Sequence, residues 1–120
     1  MTIAVVIPAY RARNSILQVL KSIPEQVSTI YLVDDCCPQQ TGHFATISST
    51  DSRLVILRNC TNQGVGGAVL AGYVRAYSDG HHIVVKVDAD GQCPIHLLSY
   101  IVEPILTSSL ITSSISFIDS

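Results

Sequence analysis

Positive charge is scarce in this sequence. Seven Lys and Arg stand against nine Asp and Glu, a formal net charge of −2 at pH 7 with His neutral. That balance encodes no basic surface for a nucleic-acid backbone, so no nucleic-acid partner is expected and any polyanion must be gripped locally. Cysteine frameworks are missing too. Cys36, Cys37, Cys60 and Cys93 form no Cys-x-x-Cys pair, and neighbours such as Cys36 and Cys37 are poorly placed to bridge each other. The expectation is reduced thiols, buried as small fillers, in a cytoplasmic setting. His43, His81, His82 and His96 share no metal-ligand spacing. No apolar run approaches the roughly 20 residues of a spanning helix; residues 104–118 carry no charge but are short and rich in Ser and Thr. The first eight residues lack a basic start and reach Pro8 too soon for a signal peptide. A P-loop would need Gly-Lys-Ser/Thr, and a dinucleotide fingerprint would need glycine at Val69 after the first strand. Neither is present.

What the chain does have is apolar residues, 48% of 120, enough for one core and one domain. Aliphatic runs at residues 3–7, 29–33, 54–57 and 83–87 read as strands, the last of them Ile83-Val84-Val85-Lys86-Val87. Between them lie helical patterns. Asn14 is a candidate cap for a helix carrying Ile16, Leu17, Leu20 and Ile23, with Pro24 ending it; a weaker helix runs through Phe44 and Ile47 to about Thr50. A third runs from Val65 or Gly66 to Ser78, with Ala68, Gly72 and Ala76 on one stripe, and a fourth opens at Pro94. Strand starts fall 26, 25 and 29 residues apart, the rhythm of successive βαβ units, which predicts a parallel, doubly wound α/β sheet. Residues 1–106 form this domain. Residues 107–120 are a Ser/Thr-rich tail in which 110–118 reads at best as a fifth, edge strand, prone to pair with a second copy of the chain.

Parallel strands bring their carboxyl ends to one edge, where open α/β sheets bind ligands. That edge should gather Pro8-Ala9-Tyr10, Asp34-Asp35, residues 59–67 and Asp88-Ala89-Asp90-Gly91-Gln92. Asp88 and Asp90 end an apolar strand one residue apart. Close carboxylates repel unless a proton or cation lies between them, and hard oxygen donors suit Mg²⁺ or Mn²⁺. Asp34 and Asp35 can cap the next helix or bond a base or ribose. Tyr10 can stack on a base or cover the core edge. Lys86 shares a strand face with Asp88 and should pair with a carboxylate. Gly64-Val65-Gly66-Gly67 can present N–H groups to phosphate or simply allow tight packing, the second being the simpler reading.

Taken in order, Val5-Val6-Ile7-Pro8-Ala9-Tyr10, Val33-Asp34-Asp35-Cys36-Cys37-Pro38, Asn62-Gln63-Gly64-Val65-Gly66-Gly67-Ala68 and Asp88-Ala89-Asp90-Gly91-Gln92 resemble the nucleotide-binding half of family 2 glycosyltransferases. The Asp-x-Asp-x-Gln form is most similar to dolichol-phosphate mannosyltransferases and polyprenyl-phosphate sugar transferases. The resemblance implies a Rossmann-like, three-layer α/β/α GT-A fold. It also implies inverting transfer from a UDP- or GDP-linked sugar, with a polyprenyl phosphate as acceptor. Pro8, Ala9, Tyr10, Asp34, Asp35 and Asp88 would line the nucleotide pocket, and Asp88, Asp90 and Gln92 would hold Mn²⁺ or Mg²⁺. One departure stands out: Arg11-Ala12-Arg13 follows the tyrosine where the family often has Asn-Glu. The family's acceptor side and further catalytic residues have no counterpart in the sequence, so a truncated donor-binding fragment is expected, reaching the inner face of a membrane through a partner. Two other readings remain: a non-catalytic interaction protein that kept the fold, and a phosphoacceptor receiver-type domain.

Overall fold

The chain begins with the strand around which everything else is laid. In a computed structural model describing residues 2–36, 38–89 and the backbone of 116–119, β1 (Ile3–Ala9) lies at the centre of a five-stranded sheet of order β3-β2-β1-β4-β5. The other strands are β2 (Thr29–Asp34), β3 (Leu54–Arg58), β4 (Ile83–Lys86) and β5 (Ser116–Asp119). Every pairing is parallel. The first three strands step outward from the centre, and the chain then crosses back to place β4 on the other flank of β1. This reversal is the topological switch point of a Rossmann-type sheet; receiver-type domains use the order 2-1-3-4-5 instead, so that alternative is set aside.

Period-two alternation gives the central strand two apolar faces. Ile3, Val5 and Ile7 join Ile30, Leu32, Ile83 and Val85 in a core with Ile16, Val19 and Leu20 of α1 (Ile16–Lys21) and Ala45 of α2 (Thr41–Ser48). Ala4 and Val6 join Tyr31, Val33, Val84, Ala68 and Ala76 on the other face, covered by α3 (Gly64–Ser78). The small-residue stripe of α3 is the buried one, as its spacing predicts. Its purpose is close approach: a Cβ on Gly72 would sit 2.3 Å from Cγ1 of Val6.

Two local differences from the sequence expectation have simple causes. The N-cap position of the first helix falls one residue later than Asn14, at Ser15, whose side chain makes no capping bond, and the helix gives way to a turn after Lys21, where the Ser22 hydroxyl bonds back to the Val19 carbonyl at 2.8 Å. Cys36 and Cys60 are exposed rather than buried. Both fall in loops beyond strand ends, where no second layer covers them; Cys37 and Cys93 lie outside the described residues, as do His96 and the helix expected at Pro94. Among the described residues no helix is long and apolar enough to cross a membrane.

Candidate functional site

The crevice starts with Pro8. In the parallel ladder Val6 pairs with Lys86, and the N–H of Val87 bonds the Val6 carbonyl at 3.0 Å. The next rung would need an N–H from residue 8, and proline has none. The ladder between β1 and β4 therefore stops, and the two strand ends part at the switch point.

Adjacent aspartates at the end of β2 are sent to opposite faces by the same alternation. Asp34 follows Ile30 and Leu32 toward α2, where Oδ2 accepts the Gly42 N–H at 2.9 Å. It thereby does the work of an N-cap for a helix whose own cap residue, Gln40, is in the left-handed region and makes no side-chain cap bond. Its surroundings form a cavity of about 370 Å³ with Cys36, Pro38, Gln40, His43, Arg58 and Asn59. Asp35 follows Tyr31 and Val33 toward α3. Its Oδ1 accepts from Asn59 Nδ2 and from the Gln63 backbone N–H, both at 2.8 Å. Those contacts fix the loop that starts α3. Among the described residues Oδ2 accepts no such bond, although Asp35 is buried, 3% exposed.

Asp35 lines a cavity of about 190 Å³ with Pro8, Ala9, Tyr10, Asn62, Gly64, Val65 and Ala68. A second cavity of about 210 Å³ is lined by Pro8, Tyr10, Arg11, Ala12, Ser15, Val65, Asp88 and Ala89. Pro8, Tyr10 and Val65 belong to both, so the two form one trough with an acid in each half. Tyr10, 44% exposed, is a shared wall. Asp88 is half-exposed, and its Oδ1 lies 3.6 Å from Lys86 Nζ, as the shared strand face predicts. In water-facing surroundings such a pair contributes at most about 1 kcal/mol.

The structure thus brings Pro8, Ala9, Tyr10, Asp35 and Asp88 to one trough and Asp34 to the neighbouring cavity. Asp90 and Gln92 lie outside the described residues. Sequence reasoning missed Ser15. Its hydroxyl donates to the Ala89 carbonyl and so ties the segment after β4 to the start of α1. A serine before an apolar helical run reads as a cap, and nothing local distinguishes a cap from a tie 74 residues away. The glycines divide as well. Gly67 gives tight packing, a Cβ there falling 2.5 Å from Gln63 Cβ, whereas Gly64 is needed for its left-handed turn, φ +77°.

The mainly parallel sheet with helices on both faces is a Rossmann-like α/β fold of the GT-A kind. The chain superposes on residues 1–349 of S. aureus TarS with a TM-score of 0.69 at 23% identity, covering 85% of this chain and 31% of that one. Residues 4–117 match the family described as glycosyl transferase family 2, and the chain belongs to that family. It is 31% identical over 117 residues to undecaprenyl-phosphate mannosyltransferase of Micrococcus luteus, covering 95% of this chain and 48% of the relative. It is 27% identical over 113 residues to dolichol-phosphate mannosyltransferase of Pyrococcus furiosus, covering 91% and 31%. The chain therefore spans about half the length, or less, of these curated relatives.

Proposed function

We propose that the trough receives the nucleoside diphosphate of a UDP- or GDP-linked sugar, with base and ribose toward Asp35 and diphosphate toward Asp88. The chain then supplies the donor side of an inverting, metal-dependent glycosyl transfer. One observation carries the reading: two cavities sharing Pro8, Tyr10 and Val65 each contain one carboxylate and meet at the switch point. Asp35 Oδ2 can accept from a base N–H or a ribose hydroxyl. Asp88, a half-exposed hard oxygen donor, fits Mg²⁺ or Mn²⁺. No group of three His, Cys, Asp or Glu that could hold an ion occurs among the described residues, so Asp90 and Gln92 would complete the set. When bound, the ion neutralises charge on the departing diphosphate. The similarity to an undecaprenyl-phosphate and a dolichol-phosphate mannosyltransferase favours a polyprenyl phosphate as acceptor.

Calorimetric titration of UDP and GDP, with Mn²⁺ and then with chelator, tests this. Binding strengthened by the ion is expected, with that gain lost in Asp88→Asn, and Asp35→Asn should weaken binding with or without the ion. A folded chain that takes up neither nucleotide in Mn²⁺ would overturn the proposal and favour the interaction-protein reading.

A further inference from the structure

The geometry points to Arg11 as a diphosphate-contacting residue of the trough, a fixed cation that lets a nucleoside diphosphate bind in part without metal. The inference rests on the nucleotide reading above. Among the described residues lining the two halves of the trough, Arg11 is the one cationic side chain, and it shares its half with Asp88. A diphosphate entering there meets Asp88 as a repulsive neighbour, and a permanent guanidinium lining the same half lowers that cost whether or not an ion is present.

The backbone is built to hold it. Arg11 has φ 56°, a left-handed conformation that a non-glycine residue adopts only when its surroundings impose it. The surroundings are on both sides. Ala12 N–H donates to the buried Thr41 hydroxyl at 3.3 Å, and Arg13 N–H to Gln39 Oε1 at 3.3 Å. The Arg13 guanidinium lies 4.6 Å from the centre of the Phe44 ring. Ser15 then ties the loop to Ala89. Arg13 is thus committed to α2, while the turn at Arg11 carries its side chain to the trough, 5.4 Å from the centre of the Tyr10 ring. The Arg-Ala-Arg sequence divides its two cations between scaffold and cavity.

The test compares the wild-type chain with Arg11→Gln and Arg11→Lys, using the better-binding nucleoside diphosphate and its parent nucleoside, in chelator and in Mn²⁺. In chelator the wild type should bind the diphosphate with salt-sensitive affinity, Arg11→Gln should lose about tenfold or more, and Arg11→Lys should recover part of it. Affinity for the nucleoside should not change, and unchanged unfolding midpoints would show that the loop still folds. Equal diphosphate binding by wild type and Arg11→Gln in chelator, or no binding by the wild type there, overturns the role of Arg11 alone. Absence of binding even with Mn²⁺ overturns the nucleotide reading with it.

Discussion

The two edges of this sheet are built from the same residue types and used in opposite ways. At the amino-terminal edge, charges are closed on one another. Arg53 gives its guanidinium to Asp51 at 2.8 Å and to the carbonyls of Pro24, Val27 and Ile23 at 2.6, 3.1 and 3.3 Å. The hydroxyl of the buried Tyr31 donates to Asp79, which Arg75 also reaches at 3.1 Å. At the carboxyl-terminal edge the buried Asp35 keeps one oxygen without a hydrogen-bond donor among the described residues, in the wall of the trough, and Asp88 has a cation only at 3.6 Å. An acid whose bonds are all made inside the chain holds structure; an acid with capacity left over can hold something else.

Helix α3 connects the two edges, and its contact with β1 should be the most sensitive point in the molecule. Gly72→Val places branched carbon where Val6 already stands 2.3 Å from a Cβ. Helix and sheet must separate, at a cost near or above the upper end of the ~1–3 kcal/mol usual for overpacking. Urea unfolding should show that loss, and nucleotide binding should fall with it because α3 carries Val65 and Gly64. A loss of stability that spared binding would mean that the edges are independent.

Arg53→Met touches the closed edge alone. It removes charge-assisted bonds to one carboxylate and three carbonyls, for an expected loss of about 2 kcal/mol, with nucleotide affinity unchanged. An altered affinity would break the distinction between the edges.

The same edge should set the response to pH. The Arg53 hydrogen bond holds the Asp51 carboxyl below the usual carboxylate range, and the Tyr31 hydrogen bond does the same for Asp79. Burial, partly offset by Asp79 and reinforced by His82, lowers the His81 imidazole below its ordinary value. In each case the unfolded chain takes the proton first, so stability is complete above the unfolded value and drains as pH falls through the window beneath it. His81 acts below about pH 6.5 and the carboxylates below about pH 4. Tyr31 runs the other way: burial, then Asp79, raises its hydroxyl, so stability falls as pH rises beyond about 10. Unfolding midpoints should form a plateau between these limits, and His81→Gln should remove the loss that begins near neutrality. A loss unaffected by that change would assign it elsewhere.

Much of this was legible in the sequence, for reasons that differ by residue. The strand rhythm gave the parallel sheet, and the Ala68, Gly72, Ala76 stripe gave the buried face of α3, because both follow from backbone periods. Alternation along β2 already divides Asp34 from Asp35; what it cannot show is which helix waits on each side, since that depends on the crossover of the whole chain. Pro8 was legible as the end of a strand but not as the missing rung that opens the crevice, which requires knowing that β4 lies beside it. The tie from Ser15 to Ala89 is non-local and leaves no local pattern. The exposure of Cys36 and Cys60 ran against the general tendency of cysteine because their loops stand beyond the layers.

The smallest effect on stability should accompany the largest on function. Asp88→Asn removes a half-exposed carboxylate whose nearest cation, Lys86, is 3.6 Å away. The group is wet and the pair loose, so the unfolding free energy should move by no more than about 0.5 kcal/mol. Asparagine keeps the shape and one oxygen but not the charge that a divalent ion requires. Affinity for the nucleoside diphosphate in Mn²⁺ should therefore drop to the level seen in chelator, whereas Arg53→Met, with its much larger cost in stability, leaves it alone. If Asp88→Asn instead destabilised the fold as strongly as Arg53→Met and bound nucleotide normally, Asp88 would belong to the closed kind of acid. The contrast between the edges would then rest on Asp35.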